Sequence, residues 1–501
     1  MGHAQLFSRA PVGVDARPVS VEVHLSPGLP AFNIVGLPDT AVRESRDRVR
    51  SALVNSGFDF PQQRITVNLA PADLPKDGGR FDLAIALGIL TASNQLPLSN
   101  NDLSDFEFIG ELALSGDLAG TSGVLPCALA CAEAQRQLLV ARDNADEASL
   151  SGAITYACSH LINAVQHLNG TAPLTTHGVP SVPPPNNDGG CLSQIRGQWQ
   201  AKRVLEIAAA GGHSLLLSGP PGAGKSMLAS RLPGLLPPLN ARQALDVAAI
   251  YSLRQSRPTE QFFQRPYRTP HHTSSATALV GGGSYPKPGE ISLANHGVLF
   301  LDELPEFDRK VLEVLREPLE TGAVHIARAA QQLTFPARFQ LVAAMNPCPC
   351  GYLGDPERGC GYRCEKAKRY QSKLSGPLLD RIDLHLDVPA VTAEEMLGDP
   401  EGDRSEDVRT RVKAAWRRQW QRQRRLNHQL PAETLNQLLK PHRDWVGGVM
   451  TRLGLSGRAL HRSARVAMTI ADLAGSDILE RDHLREALSY RAATGESAVS
   501  R

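Results

Sequence analysis

The chain has 501 residues, of which 42% are hydrophobic, and this length suits about three domains, each with its own core. Its formal net charge of +2 excludes a uniformly basic nucleic-acid-binding protein, so any DNA-binding surface has to be local. Eight cysteines are too few for a disulfide scaffold, and because the sequence has neither a signal peptide nor a membrane span, we expect a cytoplasmic protein without membrane contacts.

The first part of the chain alternates between strand and helix patterns. Val21–Leu25 and Ile65–Leu69 have the period-two alternation of half-buried strands. Asp39 or Thr40 can cap a helix, and Phe81–Leu90 is apolar except for one residue, which predicts a buried helix. These elements indicate an α+β domain.

The clearest domain boundary is residues 171–190, a linker rich in proline, glycine, threonine and asparagine. It separates the α+β domain, residues 1–170, from a predicted α/β core at 191–390 and a charged, helical lid at 391–501. Apolar runs in the core predict parallel strands covered on both faces. These runs are Ser214–Leu217, Val298–Leu301 and Leu341–Ala344. In the lid, Arg458–Ala474 has the apolar spacing of an amphipathic helix, and a second helix is predicted through Leu484 and Leu488.

A phosphate-binding loop follows the first of these apolar runs. It matches GxxxxGK[ST] at every fixed position and leads into an apolar-periodic helix, which is the context that the motif requires. Its residues are Gly219, Pro220, Pro221, Gly222, Ala223, Gly224, Lys225 and Ser226. Backbone N–H groups and Lys225 are expected to bind the phosphates of ATP, and Ser226 is expected to bind Mg²⁺.

Two further runs end in polar residues that suit ATP hydrolysis. Val298–Leu301 is followed by Asp302, predicted to hold Mg²⁺ with its water shell, and by Glu303, predicted to polarise the attacking water. Leu341–Ala344 leads to Asn346, whose amide could position the same water; considered alone, an asparagine before a proline indicates a turn.

The order of these motifs, continued by GPLLDRIDL and a helical tail, resembles AAA+ ATPases, and within them the magnesium-chelatase and minichromosome-maintenance branch. More closely, the chain resembles the ComM/YifB family, which is associated with DNA branch migration in natural transformation. The matching strings are NLAPADLPKDGGRFDL, GPPGAGKSMLASR, PHHTSSATALVGGG, PGEISLANHGVLFLDELPEF, REPLETG, FQLVAAMNP and KLSGPLLDRIDL.

The resemblance implies roles for further residues. Asn346 corresponds to sensor 1, and Arg381 to an arginine finger that acts on ATP in a neighbouring subunit, which implies a ring, a homo-hexamer. Arg458 corresponds to sensor 2, and Ile195 with Gln198 to the segment that packs on adenine. Considered without the resemblance, Arg381 is as well explained by an ion pair with Asp380 or Asp383.

The domain at 1–170 resembles the proteolytic domain of Lon proteases through the string PKDG, which begins at Pro75. Arg80 stands where that family has its nucleophilic serine, and Leu125 stands where it has its lysine. Because neither side chain can act as a nucleophile or a base, we expect a Lon-like fold without peptidase activity.

Two segments resemble the pore insertions of this AAA+ branch. Residues 279–292 are rich in glycine and proline, with Lys287 as a candidate DNA contact, and residues 324–335 alternate as a β-hairpin with Arg328 near its tip. Contacts of this kind bind phosphates without sequence preference, and the partner is expected to be single-stranded or branched DNA. A solvated arginine on a hairpin is the alternative.

Residues 409–425 form a basic segment with Trp416 and Trp420. It could bind a phosphate backbone, or it could be a packed lid helix with both tryptophans in the core and its arginines solvated; the two readings are compatible on opposite faces.

Four cysteines cluster after Asn346, at Cys348, Cys350, Cys360 and Cys364. They could form a closed structural Zn²⁺ site, although the spacing is unusual; the alternative is four thiols in a reducing cytosol. The adjacent His271 and His272 are assigned to structural or nucleotide-proximal hydrogen bonding.

Four functions remain for the whole chain. The motifs favour an ATP-driven DNA helicase or branch-migration translocase acting in DNA uptake and recombination. The alternatives are a chelatase-type ATPase subunit that remodels a protein partner, an ATP-dependent protease, which Arg80 and Leu125 argue against, and a slowly hydrolysing scaffold.

Overall fold

A computed structural model describes residues 2–97, 102–183, 190–283, 286–327, 332–353, 365–397 and 402–491. The elements before the phosphate-binding loop are, in chain order, β1 (Gly2–Val12), β2 (Asp15–Ser26), β3 (Ala31–Val35), α1 (Thr40–Asn55), β4 (Arg64–Ala70), α2 (Asp82–Ala92), β5 (Phe106–Ile109), β6 (Glu111–Leu112), β7 (Leu118–Ala119), α3 (Val124–Glu133), β8 (Gln137–Ala141), α4 (Arg142–Ser149), β9 (Thr155–Cys158), α5 (Leu161–Leu168), α6 (Trp199–Gly211) and β10 (Leu215–Ser218).

The elements that follow the loop continue the same numbering. They are α7 (Lys225–Leu235), α8 (Ala241–Ser252), β11 (Tyr267–Arg268), α9 (Ala276–Val280), β12 (Gly281–Gly282), β13 (Lys287–Pro288), α10 (Glu290–Leu293), β14 (Val298–Leu301), α11 (Arg309–Glu313), α12 (Arg316–Thr321), β15 (Ala323–Ala327), β16 (Gln332–Pro336), β17 (Gln340–Met345), α13 (Glu365–Gln371), α14 (Gly376–Leu379), β18 (Leu384–Asp387), α15 (Ala393–Leu397), α16 (Ser405–Gln423), α17 (Ala432–Leu439), α18 (Arg443–Leu453), α19 (Gly457–Ala474) and α20 (Arg481–Ser489).

These elements divide into two compact units, unit 1 with residues 1–185 and 240–263, and unit 2 with residues 186–239 and 264–501. Helix α8 therefore belongs to unit 1, although it follows α7 in the chain. Its apolar side packs on α3, and the N–H of Leu125 donates to Ser252 Oγ over 3.2 Å. Order along the chain did not indicate this, because an amphipathic helix can join whichever apolar surface its flanking loops allow it to reach.

Unit 1 contains a four-stranded sheet in the order β1-β2-β4-β3, antiparallel except for the β3–β4 pair, and a parallel sheet in the order β5-β8-β9. The predicted helix cap is confirmed: Asp39 Oδ1 accepts from the N–H of Val42 over 2.7 Å, at the start of α1. Helix α2 is buried along most of its length, as its apolar sequence predicted.

The two residues that the resemblance aligns with the catalytic residues of Lon proteases are buried in unit 1. Arg80 is 3% exposed and its Nε donates to the carbonyl oxygen of Asp77, while Leu125 is fully buried in α3. Lys76 is also fully buried, and its ammonium donates to the carbonyl oxygens of Gly36 and Pro71. Lys76 therefore links the segment after β3 to the segment after β4 through hydrogen bonds inside unit 1.

Unit 2 is built on a parallel sheet in the order β11-β14-β17-β10-β18. The predicted strands are confirmed as β10, β14 and β17, and their apolar residues are buried because helices cover the sheet. Since β17 lies between β10 and β14, the polar residues that follow these three strands meet at one edge of the sheet. Mixed α/β content with a parallel sheet agrees with the predicted fold class; the assignment of the last helices as a lid stays a prediction.

Helices α16 to α20 complete unit 2, and two of them confirm sequence predictions. Helix α19 begins one residue before the predicted start, where Ser456 Oγ accepts from the N–H of Ala459, and it buries Ala464, Ala467 and Ala471. Helix α20 buries Leu484 and Leu488, as predicted. Within the described ranges, no helix is both long and apolar enough to cross a membrane.

The basic segment forms α16. Its two tryptophans differ in burial, which corrects the interpretation that both lie in the core. Trp416 is partly buried and its Nε1 donates to the carbonyl oxygen of Ala209 over 2.9 Å, whereas Trp420 is 55% exposed. Several arginines of the helix are paired with acids rather than simply solvated. Arg422 binds both oxygens of Asp472, for example, at 2.7 and 2.9 Å.

Candidate nucleotide-binding site

The phosphate-binding loop joins the end of β10 to the start of α7, as the motif requires. Gly222 and Gly224 have φ angles of 77° and 85°, in the left-handed region that favours glycine. Gly219 is needed for another reason, because a Cβ there would lie 2.2 Å from the carbonyl oxygen of Val388. The loop therefore holds a conformation in which side chains do not obstruct access to its backbone.

Lys225, the first residue of α7, is 8% exposed and has three hydrogen-bond acceptors around its ammonium. Nζ donates to the carbonyl oxygens of Gly219 and Pro220 at 2.7 and 2.9 Å, and to Asn346 Oδ1 at 3.0 Å. The structure thus brings the predicted phosphate-binding lysine and the predicted sensor 1 asparagine into direct contact. Burial lowers the pKa of Lys225, while nearby negative charge on Asp302 opposes this shift.

Ser226 and Asp302 form the second contact of the site. Ser226 Oγ donates to Asp302 Oδ2 over 2.6 Å. A hydroxyl and a carboxylate, both oxygen ligands, suit Mg²⁺, and the adjacent loop suits the phosphates of a nucleotide. The residues present therefore fit magnesium and ATP, which agrees with the cofactors predicted from the sequence.

Glu303 follows Asp302 in a left-handed conformation with φ of 53°, unusual for a residue other than glycine. Its side chain is 53% exposed, and Oε2 lies 3.4 Å from Nδ1 of His272, whose ring packs on that of His271 at 4.1 Å between centroids. Both histidines line one cavity with Ser226, Asp302 and Glu303. The sequence assigned this pair to structural or nucleotide-proximal hydrogen bonding and did not identify Glu303 as its partner.

The predicted adenine-binding residues Ile195 and Gln198 are both buried, at 5% and 8% exposure. Gln198 Nε2 donates to the carbonyl oxygen of Pro389 over 2.7 Å and to that of Ala223, in the phosphate-binding loop, over 3.5 Å. Gln198 therefore links the phosphate-binding loop to the residue that follows Val388.

Arg381 and Arg458 line a different cavity from the one that contains Ser226 and Glu303. The side chain of Arg381 is 10% exposed; Nη1 donates to the carbonyl oxygen of Pro377 over 2.7 Å, and Nη2 pairs with Glu320. Without the resemblance, the sequence predicted an ion pair of Arg381 with Asp380 or Asp383. The pairing with Glu320 corrects that prediction. Glu320 was missed, although it lies in the quoted string REPLETG.

The second cavity is strongly basic. Its other lining residues are Glu320, Asp380, His461, Arg462 and Arg465, so four arginines outnumber two carboxylates. Arg462 is held by Asp383 Oδ1 at 2.6 Å, whereas Arg458 is exposed at the start of α19. Asp383 is buried, which by itself would raise its pKa, but His213 and Arg462 keep that pKa well below the ordinary range.

Both predicted pore segments contain antiparallel strand pairs. Strands β12 and β13 pair in the first, with Lys287 exposed on β13, and β15 pairs with β16 in the second, which confirms the predicted hairpin. Arg328 lies outside the described residues, so its role as a DNA contact stays a prediction, as does that of Lys287.

The cysteine cluster is only partly described. Cys348 is buried, Cys350 is exposed, and their Sγ atoms lie 3.0 Å apart. Cys360 and Cys364 lie outside the described residues. No group of three or more metal-ligating side chains occurs in the part of the chain that the structure covers, and the zinc site stays a prediction.

Comparisons with known families match three stretches of the chain. Residues 191–396 match the family described as "Magnesium chelatase, subunit ChlI", residues 21–144 match "Subunit ChlI of Mg-chelatase", and residues 402–491 match "Magnesium chelatase, subunit ChlI C-terminal". Together these stretches include the phosphate-binding loop, both cavities and α16.

Full-length relatives give the same assignment. The chain is 50% identical to "Competence protein ComM" of Haemophilus influenzae, with 98% of each chain covered. It is 49% identical to "Uncharacterized protein YifB" of Escherichia coli, covering 97% of this chain and 96% of that protein, and 40% identical to "Uncharacterized protein Rv2897c" of Mycobacterium tuberculosis, covering 98% and 99%. The chain therefore belongs to the ComM/YifB family of magnesium-chelatase-like AAA+ ATPases.

Proposed function

We propose that this protein is a ring-forming DNA motor, a helicase or branch-migration translocase that uses ATP hydrolysis during DNA uptake and recombination. The observation that carries the ATPase part is the meeting of Lys225, Asn346, Ser226, Asp302 and Glu303 at one edge of the parallel sheet. The DNA part is supported by 50% identity to a competence protein and by the two hairpins predicted to face a pore.

Each residue at the sheet edge has a separate task in the proposed reaction. Lys225 and the loop amides bind the phosphates, and Ser226 with Asp302 holds Mg²⁺, which neutralises phosphate charge when bound. Glu303 accepts a proton from the attacking water, and Asn346 orients that water from the neighbouring strand. Lys225 already contacts Asn346, so nucleotide binding and water positioning are coupled through one side chain.

Arg381 and Arg458 are proposed to act on ATP held by a neighbouring subunit. They share a cavity, and the cavity that contains Ser226 and Glu303 is lined by neither of them. Arginines that do not line the cavity beside their own phosphate-binding loop could instead stabilise the charge of another subunit's transition state. Such a contact is heterologous, and heterologous contacts form a ring when their rotation closes; we propose a closed ring, a homo-hexamer.

The test is steady-state ATP hydrolysis without DNA, with single-stranded DNA and with a synthetic four-way junction, using Glu303→Gln as the blank. Stimulation by either DNA, together with ATP-dependent strand or branch displacement, is the expected result. Robust hydrolysis that is indifferent to every DNA would overturn the motor proposal.

A chelatase-type subunit that remodels a protein partner is the second candidate, because all three matched families are magnesium-chelatase families. DNA-independent hydrolysis that is stimulated by a protein partner would favour this function. Unit 1, with Arg80 and Leu125 at the positions of the Lon serine and lysine, is proposed to have no peptidase activity in either case.

A further inference from the structure

Helix α16 presents two chemically different sides. Its inner side contributes Val408, Val412 and Ala415 to the core of unit 2, and Gln419 donates to the carbonyl oxygen of Ala210 over 3.0 Å. Its other side carries Lys413, Arg417 and Trp420, and Arg424 caps its carboxyl end; we name these four residues the α16 outer face. All four residues are exposed.

The spacing of four and three residues places Lys413, Arg417 and Trp420 on one stripe of the helix, within about 60° of one another. Arg424 is the carboxyl-terminal cap, and its N–H bonds back to the carbonyl oxygen of Trp420. Its φ of 56° is left-handed, so the row of Cα atoms ends there and its side chain leaves the helical path beside Trp420. From Lys413 to Arg424 the outer face is about 16 Å long. That length equals about five nucleotides of a stacked strand, at about 3.4 Å each.

Charge on the outer face is uncompensated, in contrast to charge elsewhere on the helix. Arg411, Arg418 and Arg422 are paired with acids at 2.5 to 3.1 Å. None of the four outer-face side chains makes a hydrogen bond, an ion pair or a ring contact within the described ranges. Residues 408–432 contain no aspartate or glutamate, so the stripe has no acidic partner of its own.

Trp420 gives this charged stripe a second kind of chemistry. It is 55% exposed, although the aromatic surface of a tryptophan is usually largely buried. Arg417 precedes it by one turn on the same stripe, and Arg424 caps the helix four residues after it, so its ring adjoins basic residues on both sides along the chain. Cations that bind phosphates beside an aromatic ring that stacks on a base form the recognition chemistry of single strands.

We propose that the α16 outer face binds single-stranded DNA, with Trp420 stacking on an unpaired base while Lys413, Arg417 and Arg424 contact the backbone. A duplex fits less well, because its bases are already stacked and paired and leave no face for Trp420. A membrane surface fits less well too, because the apolar side of α16 is buried in the core. This inference rests on the proposed DNA motor and adds a strand-binding surface that is separate from the pore hairpins.

The experiment measures binding of a fluorescently labelled oligo-dT to the full chain in a Glu303→Gln background with Mg²⁺ and ATP, across a series of salt concentrations. Trp420→Ala is expected to weaken binding about tenfold. Trp420→Phe retains a stacking ring and is expected to bind DNA nearly as tightly as the wild type. DNA should quench the tryptophan fluorescence of this variant less than that of the wild type, because Trp420 is absent. Duplex of equal length should show no dependence on Trp420.

Lys413→Gln combined with Arg417→Gln should lower the slope of log affinity against log salt by about 1.4, since each contact with a single strand contributes about 0.7. Lys440→Gln combined with Arg443→Gln is the matched control, because it removes the same charge from exposed positions elsewhere in unit 2 and should leave the slope unchanged. Unchanged thermal unfolding midpoints would show that each variant is folded.

The outcomes separate the two proposals. If the wild-type protein and Trp420→Ala bind oligo-dT equally well, the outer-face inference is overturned and the motor proposal is not. The outer-face inference is also overturned if the control double variant weakens binding as much as the double variant of Lys413 and Arg417. The loss of binding would then come from the change in net charge. Wild-type protein that binds neither single strands nor junctions overturns both.

Discussion

Two buried lysines, one in each unit, show how similar chemistry serves different ends. Lys76 in unit 1 is fully buried, and its ammonium donates to the carbonyl oxygens of Gly36 and Pro71. Lys225 in unit 2 is 8% exposed and donates to the carbonyl oxygens of Gly219 and Pro220. Burial lowers the pKa of both.

The difference lies in what surrounds each ammonium. Lys225 also contacts Asn346, and it adjoins an exposed serine, two carboxylates and a glycine loop with accessible backbone. Burial and carbonyl contacts are common to both lysines, so it is the adjoining open surface with complementary groups that supports the proposed function of Lys225. The predictions below test that distinction.

The largest expected effect concerns a third cation that superficially resembles Lys76. Arg381 is 10% exposed and already paired with Glu320, yet we propose that it acts on a neighbour's ATP. Arg381→Ala should lower kcat by about 1000-fold or more while ATP affinity changes little. Turnover and nucleotide binding of the purified variant measure this; near-normal turnover would make Arg381 a structural cation like Lys76.

A mixing experiment tests whether Arg381 acts between subunits. Chains with Lys225→Met lack the phosphate-binding lysine, and chains with Arg381→Ala lack the finger, so each is inactive alone. Mixed in equal amounts, they should recover about one quarter of the wild-type sites in a ring with heterologous contacts. The doubly substituted chain, mixed with either single variant, should recover none; failure of the first mixture to recover activity would place the arginine in its own subunit's site.

The next effect compares the two lysines directly through the same substitution. Lys225→Met should abolish measurable ATP binding and lower turnover by about 100- to 1000-fold, because it removes a preorganised donor at the phosphates. Titration with a fluorescent ATP analogue and a hydrolysis assay measure both quantities. Retained ATP affinity would contradict the assignment of the site.

Lys76→Met should have the opposite profile. Turnover per folded molecule should be retained, while unit 1 loses about 2 kcal/mol of stability because two buried carbonyl groups lose their donor. Hydrogen exchange of the amides of β4, compared with those of β10, measures the change unit by unit. Lost ATP turnover with unchanged exchange in unit 1 would contradict the structural role of Lys76.

A smaller effect is expected from a buried histidine in unit 2. His385 is 4% exposed, and burial lowers its pKa to about 4, so it is neutral in the folded protein. In the unfolded chain the same side chain binds a proton with a pKa of about 6.5. The stability of the folded protein is therefore unaffected by this histidine above pH 6.5, and it decreases as the pH falls towards 4, because only the unfolded chain binds the proton.

At pH 5 the loss amounts to about 2 kcal/mol. Two other groups titrate or carry charge beside His385: Arg491 adds to the lowering of its pKa and Asp383 opposes it. Thermal unfolding of unit 2 between pH 7 and pH 5 measures the effect. A His385→Asn variant should show a smaller drop over the same interval, and an equal drop in both proteins would assign the pH dependence to other groups.

The smallest effect tests the surroundings of the open site. His272 lies 3.4 Å from Glu303, and both side chains are partly exposed, so the contact is worth little by itself. His272→Ala should lower kcat about two- to fivefold without changing ATP affinity, since Glu303 loses one orienting partner. A loss as large as that of Glu303→Gln would instead place His272 among the groups that carry the reaction.

Much of the nucleotide site could be predicted because its residues are contiguous in the chain. Gly219 to Ser226 form one loop, and Asp302 and Glu303 directly follow one apolar strand, so local sequence determined both the element and the chemistry. Glu320 and His272 could not be assigned as partners of Arg381 and Glu303. They lie far away in sequence, and their contacts form only when loops from different strands are brought together.

The sequence by itself determined the element types, the phosphate-binding loop and the family, because local patterns, glycine conformations and long matching strings carry that information. Only the tertiary structure decided which core α8 joins, which tryptophan of α16 is exposed, and that Arg381 and Arg458 share a cavity apart from Ser226 and Glu303. The physical reason is that a side chain's neighbours across space depend on which apolar surfaces pack together, and a helical pattern offers several surfaces of similar free energy before packing selects one.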